Sequence, residues 1–173
     1  MATNLSQIAQ FLDNRDWSYY VEEEKQQILS GVKSDHIDNF FISIRLSENG
    51  EFLHLTIPEL VKVKDNVFKG LLFQTLLTIQ WEVKMLRFQY DPSDGEIRTN
   101  IELPLENTDL TEKLFNRILS SSIHLVESVM PRIQQVLATG NDPGKKPLGE
   151  ELLEAMPSEW VHLLEEAILS RRK

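Results

Sequence analysis

The sequence of 173 residues contains no cysteine. This absence excludes disulfide bonds, iron–sulfur clusters, thiolate zinc sites and catalysis by a thiol, because each of these requires a cysteine sulfur. It is also compatible with a reducing compartment, and we expect a cytoplasmic protein.

The sequence has fewer positively charged than negatively charged residues. The chain has 18 Lys and Arg against 27 Asp and Glu, a formal net charge of −9. Such a chain repels a phosphate backbone unless basic residues cluster, and the dense basic clusters are limited to residues 145–146 and 171–173. We therefore expect no nucleic-acid partner.

Long apolar runs are also missing. The most hydrophobic stretch, residues 71–81, is interrupted by four polar side chains, and the first six residues lack a basic region followed by an apolar core. We expect neither a membrane span nor a membrane partner.

No pattern typical of an enzyme is present. The glycine-containing stretch 140–146 lacks the spacing and the Ser or Thr of a phosphate-binding loop. Asp35, His36 and Asp38 are too close in sequence to converge on one metal ion unaided. The serines at 120–122 are not in a nucleophile elbow. The sequence thus predicts a protein that is not an enzyme, with no catalytic, cofactor-binding or metal-binding residues.

The length and the 41% hydrophobic content suit one well-cored domain with an appendage. We assign residues 1–139 to an α+β domain and residues 140–149, rich in Gly, Pro and Lys, to a linker. Residues 150–173 form a predicted amphipathic helix, whose apolar positions include Trp160, Leu164 and Ile168. That stripe can pack on its own domain or on a partner.

The first half of the chain predicts a helix followed by strands. The helix opens at Leu5 behind Thr3 or Asn4 as its cap, and residues 17–32 form two strands or one bent ribbon. Residues 40–57 alternate apolar and polar side chains around Asn49-Gly50, which predicts a hairpin with a type I′ turn. Pro58 marks the end of that hairpin or an edge position.

A second helix is predicted over residues 66–82, and it is apolar on two sides. One stripe comprises Phe68, Leu71, Leu72, Leu76 and Ile79. The opposite stripe comprises Phe73, Leu77 and Trp81. Since a small domain can cover only one side, we expect the second stripe to contact another copy or a partner.

Residues 86–105 predict a second hairpin with one buried face, on which Phe88 and Tyr90 lie. A third helix follows to about residue 138, with Asp109 and Glu112 as a capping box and a bend or an interruption at Pro131. Its predicted buried stripe consists of Phe115, Leu119, Ser122, Val126, Val129, Ile133 and Val136. Together these elements predict an α+β fold, in which helices pack on one face of an antiparallel sheet.

The order of elements and the segment LRFQYDPSDGEIRTNIELPLENTDLTEKLFNRIL resemble the YbjN family, whose fold is that of type III secretion chaperones. The resemblance covers residues 5–138. The matching positions are Phe88 and Tyr90 in a strand, the turn Asp94-Gly95, the strand end Leu103-Pro104 and the helix start Leu110-Thr111. The sequence is also similar to a group of such proteins from photosynthetic bacteria.

This resemblance implies a non-enzymatic homodimer that binds another polypeptide in a chaperone-like or regulatory role, with the second helix near the dimer contact. We therefore predict partner or dimer contacts at Phe73, Leu77 and Trp81, and at Trp160, Leu164 and Ile168. The alternative is a small-molecule sensor or enzyme with a pocket between the sheet and the long helix.

Overall fold

A computed structural model of the chain describes residues 3–34, 38–106 and 108–144. The chain divides into the units Met1–Asp142 and Pro143–Lys173, and the architecture below is that of the first. The predicted C-terminal helix, 150–173, and the second half of the predicted linker, residues 145–149, lie outside the described residues. The boundaries proposed for these two segments stay predictions.

Within the described residues, six antiparallel strands form one sheet in the order β1-β2-β3-β4-β6-β5. The strands are β1 Tyr20–Glu22, β2 Gln27–Val32, β3 Phe40–Ser47, β4 Phe52–Lys62, β5 Arg87–Tyr90 and β6 Glu96–Pro104. A short 3₁₀ turn, Glu23–Lys25, separates the first two strands, so residues 17–32 form two strands and not one ribbon. The predicted α+β class is confirmed.

Three helices of the described chain cover one face of this sheet. They are α1 Leu5–Asp13, α2 Lys69–Glu82 and α3 Glu112–Thr139. Their buried side chains join one core with the strand residues that point toward them, and Ile42, Ile44 and Phe115 are fully buried within it. Burying a side chain of this size contributes about 1.5–3 kcal/mol, so this shared core holds the layers together.

The first hairpin forms where predicted, but its turn differs from the prediction. Ser47 pairs with Phe52, which leaves a four-residue loop and not a two-residue type I′ turn. Glu48, Asn49 and Gly50 all adopt positive φ, at 53°, 56° and 89°. Asn49 and Gly50 adopt the positive φ angles expected of them, but the left-handed conformation begins one residue earlier, at Glu48.

Pro58 neither ends β4 nor places the whole strand at an edge. The strand continues to Lys62, but its pairing with β3 ends at Thr56, and its pairing with β6 shifts between Ile57 and Val61. Proline has no amide hydrogen for the ladder, and a bulge is one of the places where a sheet accommodates it. The prediction that Pro58 ends the strand was wrong. Pro58 lies in the stretch between Ile57 and Val61, where β4 has no ladder partner in either neighbouring strand, so its missing hydrogen-bond donor is accommodated.

The long helix α3 is capped by Thr111, whose hydroxyl accepts a hydrogen bond from the Leu114 amide at 3.2 Å. The predicted capping box at Asp109 and Glu112 is therefore wrong, because Glu112 is the first residue of the helix. The helix continues past Pro131 without interruption and ends at Gly140, which has φ +69°. All seven apolar or small positions predicted for its buried stripe are buried: Phe115, Leu119, Ser122, Val126, Val129, Ile133 and Val136.

Candidate partner-binding surface

The second helix begins later than the sequence predicts. The side chain of Asn66 accepts a hydrogen bond from the Phe68 amide at 2.8 Å, which holds these residues in a turn, and α2 starts at Lys69. Its buried face consists of Leu72, Thr75, Leu76 and Ile79. Leu71, predicted on this face, is instead 46% exposed.

The described residues leave the opposite stripe of α2 largely uncovered. Leu77 is 67% exposed and Trp81 is 90% exposed. Phe73 is half-buried because its ring packs against Tyr90 of β5, with centroids 4.8 Å apart. The structure thus brings the three predicted contact residues onto one side of the helix, and covers only the first of them in part.

The exposed side of α2 is also free of charge. No charged residue occurs between Lys69 and Glu82, although 26% of the whole chain is charged. Exposed helix faces normally carry charged side chains, whereas the centres of protein interfaces are depleted of them. This uncharged stretch distinguishes α2 from an ordinary solvent-facing helix.

A shallow groove of about 300 Å³ runs beside this stripe, between α2 and the edge strand β5. Phe73 and Leu77 line it on the helix side, and Phe88 and Tyr90 line it on the strand side. The backbone amide of Phe88 points away from the sheet and donates to the Gln80 side chain at 3.0 Å. This contact occupies one donor of the β5 edge, which makes that edge less available for pairing with another strand.

A polar clamp ties the end of α3 to α2. Asp142 accepts hydrogen bonds from Arg132 at 2.7 and 2.9 Å and from the Thr75 hydroxyl at 2.8 Å. The hydrogen bond with Asp142 raises the pKa of Arg132 above its ordinary value, and the nearby Glu82 adds to the effect. We call these four residues the Arg132 clamp, and they fix the buried side of α2.

The outer face of the sheet carries a row of polar side chains that the sequence analysis did not single out. Ser47 shares a hydrogen bond of 2.8 Å with His54, and the other His54 nitrogen lies 3.7 Å from Glu102. Burial lowers the pKa of His54, and the nearby charge of Arg45 lowers it further, against an opposing effect of Glu102. The period-two pattern placed these side chains on one face, but cross-strand pairing was needed to bring them together.

The order hydroxyl, imidazole and carboxylate is that of a catalytic triad, but the surroundings differ from those of a hydrolase. These side chains lie on successive strands of an open sheet face, and none of them lines the groove described above. A nucleophile also requires positioned donors for the oxyanion of its intermediate. The row is more simply a set of cross-strand polar pairs.

The same outer face of the sheet carries an apolar patch on strands β1 to β3. Tyr20 and Phe41 are each 67% exposed, and half-buried Leu29 lies between them. Leu29 pairs directly with Tyr20 and with Ser43, two residues from Phe41. We call Tyr20, Leu29 and Phe41 the sheet patch.

Other predicted contact residues, Trp160, Leu164 and Ile168, lie outside the described residues. Over residues 3–34, 38–106 and 108–144, no helix has the length and apolar composition needed to cross a membrane. In the same ranges, no group of three or more His, Asp or Glu side chains is arranged to hold a metal ion.

Comparison with solved structures identifies proteins with a similar fold. YbjN from E. coli, described as a candidate transcription regulator, matches with a TM-score of 0.58 at 14% identity, over 78% of this chain and 93% of that chain. The ExsC–ExsE complex matches with a TM-score of 0.54 at 19% identity, over 76% and 97% of the two chains. The HopA1–SchA chaperone–effector complex gives a TM-score of 0.48 at 13% identity, over 69% and 86%.

No protein-family model matches the sequence, and no curated protein matches it. The solved structures therefore inform the fold, since their identities are too low to carry function. The predicted resemblance is confirmed at this level: the chain has the fold of YbjN and of type III secretion chaperones.

Proposed function

We propose that this protein is a non-enzymatic interaction module that forms a homodimer through α2 and binds another polypeptide, in a chaperone-like or regulatory role. The observation that carries the proposal is the uncharged stripe of α2, which leaves Leu77 and Trp81 largely exposed. Exposed aromatic and aliphatic side chains grouped in this way are typical of interface anchors.

The spacing of the stripe suits a two-fold symmetric contact. Phe73, Leu77 and Trp81 lie at intervals of four residues, so they span about 12 Å along the helix axis. In a two-fold interface the same surface meets itself. An axis passing beside Leu77 brings the two Leu77 side chains together and places each Phe73 near the Trp81 of the second copy.

We further propose that the polypeptide partner binds to the sheet patch. This surface lies on the face of the sheet opposite the helices, so a dimer formed through α2 leaves it accessible. Tyr20 and Phe41 offer exposed rings to an extended segment, beside the short edge strand β1. The fold neighbour ExsC, found in complex with ExsE, supports a polypeptide as the partner.

Two substitutions at equally exposed apolar positions separate these roles, since Leu77 and Phe41 are both 67% exposed. Leu77→Glu should halve the mass measured by light scattering, because it buries a charge at the proposed axis. Phe41→Glu should leave the mass unchanged but abolish retention of a defined polypeptide in affinity capture. A wild-type monomer, or a captured polypeptide unaffected by Phe41→Glu, would contradict the corresponding part.

A further inference from the structure

A second cavity, of about 560 Å³, lies between α3 and the segment that connects α2 to β5. Its floor is apolar: Leu86, Ile101 and Ile118 line it and are each at most 4% exposed. The volume falls within the range of small-molecule sites, roughly 300–1,000 Å³. This cavity is separate from the α2 stripe and from the sheet patch.

The connecting segment that forms one wall has an unusual backbone. Met85 adopts φ +71°, a conformation uncommon for a residue with a side chain, and the Leu86 amide donates to the Lys84 carbonyl at 2.9 Å. The resulting tight turn places Met85 at the mouth, where its side chain is 49% exposed. A flexible thioether at this position can adjust to the shape of an apolar ligand.

The mouth of the cavity is basic. Lys84, Arg117 and His124 line it and are exposed, and none of their side chains has a hydrogen bond or an ion pair with another described residue. The acidic group at the mouth, Glu82, lies 3.8 Å from Arg132 and is thereby partly neutralised. A positive mouth over an apolar floor is notable in a chain with a net charge of −9.

From this combination we propose that the cavity binds a free amphiphile with an apolar chain and a carboxylate head, such as a medium-chain fatty acid. The chain packs on the accessible apolar lining, Val83, Met85 and Leu125, above the buried floor, and the carboxylate meets Arg117 and Lys84. Arginine and lysine form strong charge-assisted hydrogen bonds with carboxylates. The concave shape of the cavity and its volume of about 560 Å³, suited to one small ligand, favour a monomeric molecule over a membrane surface or an acidic polypeptide.

The test uses dodecanoate below its micelle concentration, with dodecanol as an uncharged probe of the same chain length. Isothermal titration should give one saturable site for dodecanoate. Methyl NMR should place the shifts at Ile101, Ile118 and Met85. Shifts confined to Leu77 and the α2 stripe, or no saturable binding, would overturn the proposal.

Three variants separate head recognition from chain burial. Arg117→Glu should weaken dodecanoate binding by about tenfold or more and change dodecanol binding less than about twofold, since only the head contact is lost. Ser121→Phe, which fills the mouth, should weaken binding of both probes. Lys33→Glu, the same charge change at an exposed position that does not line the cavity, should alter neither.

Two further outcomes would count against the proposal. Equal loss of dodecanoate and dodecanol binding in Arg117→Glu would show that the head is not recognised. Sedimentation with phosphatidylglycerol vesicles that depends on Arg117, together with no binding of free dodecanoate, would assign the basic mouth to a membrane surface. Circular dichroism melting of every variant establishes that each result refers to the folded protein.

Discussion

Replacing Asp142 by alanine removes the centre of the Arg132 clamp. The carboxylate accepts two hydrogen bonds from the guanidinium and one from Thr75, and the Arg132 side chain is only 13% exposed. In Asp142→Ala, Arg132 keeps one acidic neighbour, the Glu82 carboxylate at 3.8 Å. A mostly buried cation is thereby left with a weakened partner, which is the costly case for charged groups.

The expected loss of unfolding free energy follows from the exposure of the Arg132 and Asp142 side chains. Exposed pairs contribute about 0–1 kcal/mol and hydrogen bonds to charged groups about 1.5–3 kcal/mol, so a pair with side chains 13% and 30% exposed falls near 2 kcal/mol. The Thr75 hydrogen bond adds about 1 kcal/mol. The total of about 3 kcal/mol corresponds to a fall in melting temperature of roughly 10 °C for a domain of this size.

The assay is urea unfolding followed by circular dichroism, performed on Asp142→Ala, on Arg132→Met and on the double variant. The cycle should give a coupling free energy of about 2 kcal/mol between the two side chains. Asn141→Ala is the matched control, because the Asn141 contact to Thr139 is made by its backbone amide. A loss below about 0.5 kcal/mol in Asp142→Ala, or no coupling, would refute this reasoning.

Two further predictions concern the sheet. Gly95→Ala should destabilise the protein by more than about 2 kcal/mol in urea unfolding, since φ is +81° and a Cβ would lie 2.3 Å from the Lys64 amide nitrogen. His54→Gln should flatten the fall in stability between pH 7.5 and 5.5. Because the pKa of His54 is lowered in the folded state, the unfolded state binds more protons below about pH 6.5, and stability is lost there.

Each of these predictions has a control. Gly70→Ala should be neutral or stabilising, because a Cβ at that helical position meets no atom within 4 Å. Equal losses at Gly70 and Gly95 would contradict the steric argument. For His54→Gln, the wild-type curve measured in the same buffers is the reference. A His54→Gln curve that matches the wild type would show that this imidazole does not contribute.

Periodicity was sufficient to predict the elements because most of them bury one face. The α3 stripe from Phe115 to Val136 and the buried face of the first hairpin follow directly from repeats of 3.6 and 2 residues. The second hairpin follows its repeat only in part, because Phe88 and Tyr90 are half-buried and Asn100, on the opposite face, is buried. The exposed stripe of α2 was predictable for a related reason. A helix that is apolar on two sides exceeds what one sheet can cover.

Most of the features that were mispredicted or missed depend on contacts between residues that are distant in sequence. The bulge after Pro58 is defined by pairing with β6, some forty residues later, and no local signal specifies it. The Ser47, His54 and Glu102 row likewise requires the register of three strands. Capping by Thr111 and not Asp109 was a choice between two suitable side chains, which sequence alone does not decide.

The α2 contact can be measured directly because the chain has no cysteine of its own. A single Leu77→Cys substitution at the proposed two-fold axis should give a disulfide-linked dimer under mild oxidation, since such an axis brings the two Cβ atoms within bonding range, about 3.5–4.5 Å. Phe41→Cys, at an equally exposed position, should cross-link only slowly and in proportion to concentration. Equal cross-linking at the two positions, with a monomeric mass for the wild type, would contradict the proposed homodimer.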